Sequence, residues 1–211
     1  MRLYLSSFDL GDHAEALVAL TRGGRRAAVV VNPLDDRPRA RADWLTDQIE
    51  KLSRLGYAAE ELDLRDYFGE ADALAARLAT LDLVWVSGGN VFILRRAMRQ
   101  SGFDRLAKEA LTRDAFVYGG FSAGAVVVAE SLASLEAADD PHSAPAGYAR
   151  EILREGLGLL GHALVVHFDA DHWQPGAVAA QIAFLEAKGL PYEALRDGEV
   201  LLIDGATRRR L

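Results

Sequence analysis

The residues with the clearest capacity for chemistry are Gly120-Phe121-Ser122-Ala123-Gly124. They follow the apolar run Phe116-Val117-Tyr118 and precede a helix-forming run from Ala125 to Leu132. Strand, tight glycine turn and helix are the context in which G-x-S-x-G makes a nucleophile elbow. Glycine on either side lets the backbone fold sharply, so the serine hydroxyl projects above the carboxyl edge of a sheet. The Ala123 amide then lies at a helix N-terminus, where N–H groups lack intrahelical acceptors and can meet an oxyanion. The competing reading is a glycine turn in which Ser122 merely caps the helix. A second glycine turn, Ser87-Gly88-Gly89-Asn90, also closes a buried run. Ligands of open α/β sheets collect at the carboxyl ends of strands, so Gly89 is a candidate second oxyanion donor. Alone, the same turn reads as a β-to-α connection with Asn90 as N-cap.

A serine hydroxyl needs a base. Of the five histidines, His13, His142, His162, His167 and His172, the best placed is His167, directly after the apolar run Ala163 to Val166. The same stretch admits a metal reading: His167, Asp169 and Asp171 alternate, and His172 adds a fourth ligand type. That reading leaves the elbow unaccounted for, so no metal and no organic cofactor is expected. An acid must hold the imidazole tautomer. Glu136, Asp139 and Asp140, in a segment that reads as a surface loop, compete with Asp197 in the tight turn Asp197-Gly198, and residue types alone do not choose among them.

The elements that must position these residues alternate along the chain. Strands are expected at Leu3 to Leu5, Ala27 to Val31, Ala58 to Leu64, Leu83 to Val86, Ala115 to Tyr118 and Ala163 to Val166. Helices are expected at Asp12 to Leu20, Ala40 to Leu55, Ala71 to Leu81, Val91 to Arg99, Asp104 to Leu111 and Ala177 to Lys188. Leu195 to Asp204 reads as a hairpin around Asp197-Gly198. Buried strands alternating with helices predict an α/β fold, a mostly parallel sheet with helices on both faces, in a single domain over residues 1–211.

Composition narrows the function. A net charge of -7 over 211 residues argues against nucleic-acid partners. Arg208 to Arg210, the only dense basic run, reads as a solvated tail. There is no cysteine, so a thiol nucleophile and disulfides are excluded. Met1 to Leu5 gives way to Ser6, Ser7 and Asp9, which is no signal peptide, and no apolar run approaches the roughly 18 residues of a membrane helix. The expectation is a cytoplasmic protein without membrane or nucleic-acid partners; a homodimer is an open option.

Gly88-Gly89-Asn90, Gly120 to Gly124, His167-Phe168 and Leu195-Arg196-Asp197-Gly198 occur in an order that resembles peptidase E, the aspartyl dipeptidase, and its relatives, cyanophycinase among the broader group. The resemblance runs over nearly the whole chain. It implies a class I glutamine amidotransferase-like fold with serine in place of the amidotransferase cysteine. It implies Ser122 as nucleophile, His167 as general base, Asp197 as the third member where peptidase E has glutamate, and Gly89 with the Ala123 amide as oxyanion donors. It implies a serine peptidase of dipeptidase type acting on short peptides. The family's arginine-bearing segment after the histidine is missing, since Pro175 to Leu185 holds no arginine or lysine, so the resemblance does not carry aspartyl specificity with it. Two rivals differ in class: an α/β-hydrolase-type esterase, with Asp139 or Asp140 as acid, and a non-catalytic or regulatory binding domain on the same fold.

Overall fold

Strand residues that alternate in side must feed two cores if helices cover both faces of a sheet. Leu3, Leu5, Ala28, Val30, Val84, Val86 and Tyr118 belong to one buried cluster, while Tyr4, Ala27, Val29, Leu83, Trp85 and Val117 belong to the other. The computed structural model describes residues 1–170 and 175–211. In chain order these form β1 (Arg2–Ser6), α1 (Ala14–Leu20), β2 (Arg26–Val30), α2 (Pro38–Arg54), β3 (Ala58–Glu61), α3 (Ala71–Leu78), β4 (Leu83–Val86), α4 (Val91–Ser101), α5 (Phe103–Thr112) and β5 (Val117–Phe121). Then follow α6 (Ala123–Val126), β6 (Ala163–Val165), α7 (Pro175–Ala187), β7 (Tyr192–Ala194), β8 (Val200–Asp204) and β9 (Thr207–Arg210).

The main sheet has seven strands in the order β3-β2-β4-β5-β1-β8-β9. Its first five strands run parallel, and β8 and β9 are antiparallel additions at one side. Helices α1 and α2 cover one face, with Leu17, Leu20, Trp44, Ile49 and Leu52 packed onto it. Helices α3, α4 and α5 cover the other. This is the expected α/β architecture, a mostly parallel sheet between helical layers. Among the described residues no helix is long and apolar enough to cross a membrane.

Four local expectations change. Strand β5 does not stop at Tyr118; it continues through Gly119 and Gly120, paired with β1 on one side and β4 on the other, to Phe121, paired with β1. The helix after Ser122 is one turn long, not the run to Leu132. Val126, Val127 and Val128 are β-branched and poor helix formers, and the Val127 and Val128 carbonyls instead accept the N–H groups of Leu157, Leu159 and Leu160. Asp197-Gly198 does turn the chain, with Glu199 N–H donating to Arg196 O at 2.9 Å, but the strands it joins lie in different sheets. Strand β7 pairs in parallel with β6 in a separate small sheet, and β8 pairs with β1. The hairpin is β8–β9, so the basic run is an edge strand rather than a loose tail. Its arginines are tied to Glu193 and Glu199, and a charged edge resists pairing with other chains.

The elbow packs tightly on β4. A Cβ on Gly124 would stand 2.2 Å from Val86 O. Gly124→Ala is therefore expected to cost about 3 kcal/mol, the upper end for overpacking, read from the urea unfolding midpoint. Parental stability in that variant would show that α6 and β4 are not in this contact.

Candidate active site

Ser122 sits between β5 and α6 with φ 50° and ψ −117°, a conformation unfavourable for a residue with a Cβ. Neighbouring strand ends hold it there. The Ser122 N–H donates to the carbonyls of Ser6 and Ser7 at 3.3 and 3.2 Å, and Gly124 N–H donates to Ser87 O at 3.2 Å. The Tyr118 hydroxyl donates to Gly124 O at 2.8 Å from below. Such strain costs about 1–3 kcal/mol per residue and persists only where the surroundings fix it.

His167 follows β6, also at positive φ (57°), and is 2% exposed. The small sheet sets its partner. Val165 pairs with Ala194, Leu195 N–H donates to Val165 O at 2.8 Å, and Phe168 N–H donates to Leu195 O at 3.1 Å. The turn after β7 thus lies alongside the histidine. His167 Nδ1 is 2.9 Å from Asp197 Oδ1, and His167 Nε2 is 3.0 Å from Ser122 Oγ. A carboxylate only accepts, so Nδ1 carries the proton and Nε2 is free to accept the Ser122 hydroxyl. The Phe8 ring meets the imidazole edge-on, centroids 5.9 Å apart.

Ser7, read in the sequence only as a polar break after an apolar run, ties these parts together. Its Oγ accepts the His167 backbone N–H at 2.8 Å. The same Oγ stands 2.8 Å from Asp197 Oδ1 and 3.1 Å from Leu195 O, and its single proton serves one of them at a time. The available clue was position: Ser6-Ser7 closes β1, which lies beside β5 at the same sheet edge as Ser122.

Gly89 and Ala123 line the cleft beside Ser122 and His167. Gly89 has φ 135°, and a Cβ there would stand 2.6 Å from Pro33 O, so only glycine fits. Asn90 also fulfils its N-cap reading, accepting from the N–H groups of Phe92 and Ile93 at 2.8 and 3.1 Å. Among the hydrogen bonds of the described residues, neither the Gly89 nor the Ala123 N–H is spent.

The loop acids divide. Glu136 pairs with Arg154 at 2.5 Å, and exposed Asp140 accepts the His142 N–H at 2.9 Å. Asp139 is no surface acid: it lines the same cleft as Ser122, and its Oδ2 accepts the Val91 N–H at the start of α4, 2.8 Å away. Polar composition hid this, because nothing in Glu136 to Gly147 distinguishes a residue folded inward over a cleft. Burial pushes the Asp139 carboxyl up to about 6, outweighing the Val91 hydrogen bond and the Arg37 charge. A raised carboxyl binds its proton more tightly folded than unfolded. Its destabilising effect is absent below the ordinary value of 3.8, grows as pH rises, and is complete above about 6. Asp139→Asn is expected to raise stability by about 1–3 kcal/mol at pH 8 and by nearly nothing at pH 4. Denaturant unfolding of both proteins at the two pH values checks this, and an equal change at both would refute it.

In the other possible ligand cluster, Asp169 Oδ2 accepts from Arg196 at 2.9 Å, and both ring nitrogens of His167 face Asp197 and Ser122. Asp171 and His172 lie outside the described residues. Among those described, no three metal-ligating side chains gather.

The fold has solved counterparts. A peptidase E candidate from Listeria monocytogenes EGD-e superposes with a TM-score of 0.79 at 18% identity, covering 100% of this chain and 97% of that one. A peptidase from an acI-B1 actinobacterium gives 0.68 at 14% identity, over 100% and 93%. In sequence, the uncharacterized peptidase Lin0382 of Listeria innocua is 34% identical over 93 residues, 44% of this chain and 43% of that protein. The uncharacterized peptidase Lmo0363 of Listeria monocytogenes is 33% identical over 94 residues, 44% of each. These matches span less than half the length of the curated relatives. The architecture is therefore that of the peptidase E-like α/β proteins. The model of peptidase family S51 matches residues 10–211, and the chain belongs to that family.

Proposed function

We propose that this chain is a serine peptidase hydrolysing short peptides, with residues 1–211 as one catalytic domain. One observation carries the reading: two consecutive hydrogen bonds, 3.0 and 2.9 Å, link Ser122 through His167 to Asp197. Family membership supports the same chemistry. His167 Nε2 takes the Ser122 proton as Oγ attacks the scissile carbonyl. Asp197 stabilises the imidazolium that forms. The Gly89 and Ala123 N–H groups receive the developing oxyanion. His167 then protonates the leaving amine, and a water deprotonated by the same imidazole hydrolyses the acyl-enzyme. No metal or organic cofactor enters these steps. Leu135, Ala138 and Val178 line the cleft beside Ser122 and His167, giving a substrate side chain apolar surface next to the reacting groups. A dipeptide-library hydrolysis screen, with Ser122→Ala as the blank, tests the proposal; equal release by parent and blank would end it.

Ser7 acts as a positioning residue in this scheme, since it touches His167 and Asp197 but not the scissile bond. Ser7→Ala is expected to lower kcat by roughly 10- to 100-fold, on the scale of supporting hydrogen bonds, with KM little changed and the acid limb of the pH–rate profile displaced. A loss confined to folded yield, with normal kcat in the folded fraction, would assign Ser7 a structural role only.

A further inference from the structure

The geometry points to Asp139 as the residue that receives an ammonium group of the substrate, the α-ammonium of a free N-terminus, and thereby decides which peptides the cleft accepts. This inference rests on the serine-peptidase reading. Asp139 shares the cleft with Gly89, Ser122, Ala123 and His167. The other described walls are apolar, from Val126, Leu135, Ala138, Val166 and Val178, with Gln181, whose amide is already turned to Leu164 O at 3.1 Å. Among the described lining residues, Asp139 is thus the carboxylate, set in apolar surroundings beside Ser122 and His167.

Its local contacts leave it under-used. The hydrogen bond it accepts is from Val91, and among the described residues no ion pair meets it; the Arg37 charge acts on it only from a distance and is opposed by Asp36. Other enclosed acids here are matched: Asp104 by Arg95 at 3.0 Å, and Asp63 by Arg41 at 2.8 Å and Arg65 at 2.5 Å. Nor does α4 depend on Asp139 for capping, since Asn90 already takes two of its first N–H groups. A carboxylate held among apolar walls with no cation in contact is costly in the empty protein, and a cation that enters to pair with it offsets that cost. An anion at this position also repels a substrate carboxylate, and the described lining offers an aspartyl side chain no lysine or arginine. The cleft therefore suits a peptide with a free amino terminus and an uncharged first side chain. An α-ammonium stands one carbon from the scissile carbonyl, so its receptor must share the cleft with Ser122, as Asp139 does; a lysyl ammonium is not so constrained.

The test compares kcat/KM for Ala-Leu, N-acetyl-Ala-Leu and N-acetyl-Lys-Leu, by leucine release, in the parent and in Asp139→Asn. An uncharged fluorophosphonate, meanwhile, reports the reactivity of Ser122 in both. The parent should prefer Ala-Leu over its acetylated form by roughly 10- to 100-fold, the size of one charge-assisted hydrogen bond. Asp139→Asn should erase that preference, mainly through KM, and raise cleavage of N-acetyl-Ala-Leu, which no longer faces a buried anion. An Asp139-dependent preference for N-acetyl-Lys-Leu instead would move the recognised ammonium to the side chain and overturn the assignment. Equal losses on every substrate would also overturn it, by making Asp139 structural. If Ser122 labels in both proteins while the preference is absent or unaffected, the ammonium assignment alone fails. If Ser122 does not label and no dipeptide is cleaved, the peptidase reading fails and the assignment with it.

Discussion

Ser122→Ala is expected to lower kcat by about 10^4-fold or more, since the covalent step has no other nucleophile. The fold should survive, because one hydroxyl in a solvent-reaching cleft adds little to the core. The backbone conformation makes a second substitution informative. At φ 50° and ψ −117° any Cβ is strained, so alanine inherits the strain and glycine releases it. Ser122→Gly should thus be as inactive as Ser122→Ala but more stable than it by about 1 kcal/mol, the strain relieved less the extra chain entropy of glycine. Steady-state rates and thermal unfolding of the two variants check both halves. Activity within about tenfold of the parent in Ser122→Ala would remove Ser122 from the mechanism.

Asp197→Asn carries the second large effect. An amide at this position no longer selects the His167 tautomer that leaves Nε2 open, and it does not stabilise the imidazolium. kcat near neutral pH should fall by about 10^2- to 10^4-fold. Asp140→Asn should leave kcat as it is, because Asp140 is exposed and bonded within its own turn. An α/β-hydrolase arrangement, with its acid ahead of the histidine, predicts the opposite ordering. Rates for both variants at several pH values decide between them.

The sheet was legible because its strands announce themselves twice, as apolar runs and as alternation between two faces. Leu83 to Val86 and Val91 onward fall where the sequence puts them. The elbow was legible because its glycines answer local needs: Gly124 leaves room for β4. Asp197 was reachable only through family resemblance, since Asp-Gly turns are common and the parallel pairing of β6 with β7 that brings it to His167 is long-range. Local pattern also failed where tertiary partners overrule it. The run after Ala125 was read as helix because it follows the elbow, yet the Val127 and Val128 carbonyls are claimed by Leu157, Leu159 and Leu160. Asp139 was misread for the same kind of reason: burial is a property of the assembled cleft, not of an Ala-Asp-rich segment.

The central place of β1 has a consequence for how the protein is made. Arg2 pairs with Val117 on one side and Asp204 on the other, so β1 waits for two strands made long after it. Contacts of such sequence separation are slow to close. Ser7 and Ser122 meet across the first of those seams, and the turn carrying Asp197 leads into the second. The hydrogen bonds that join Ser122, His167 and Asp197 therefore form only once segments more than a hundred residues downstream of β1 have been made and docked. The same timing leaves a hydrophobic strand with two open edges during translation, which marks β1 as the segment to watch for aggregation when β8 is truncated or weakened.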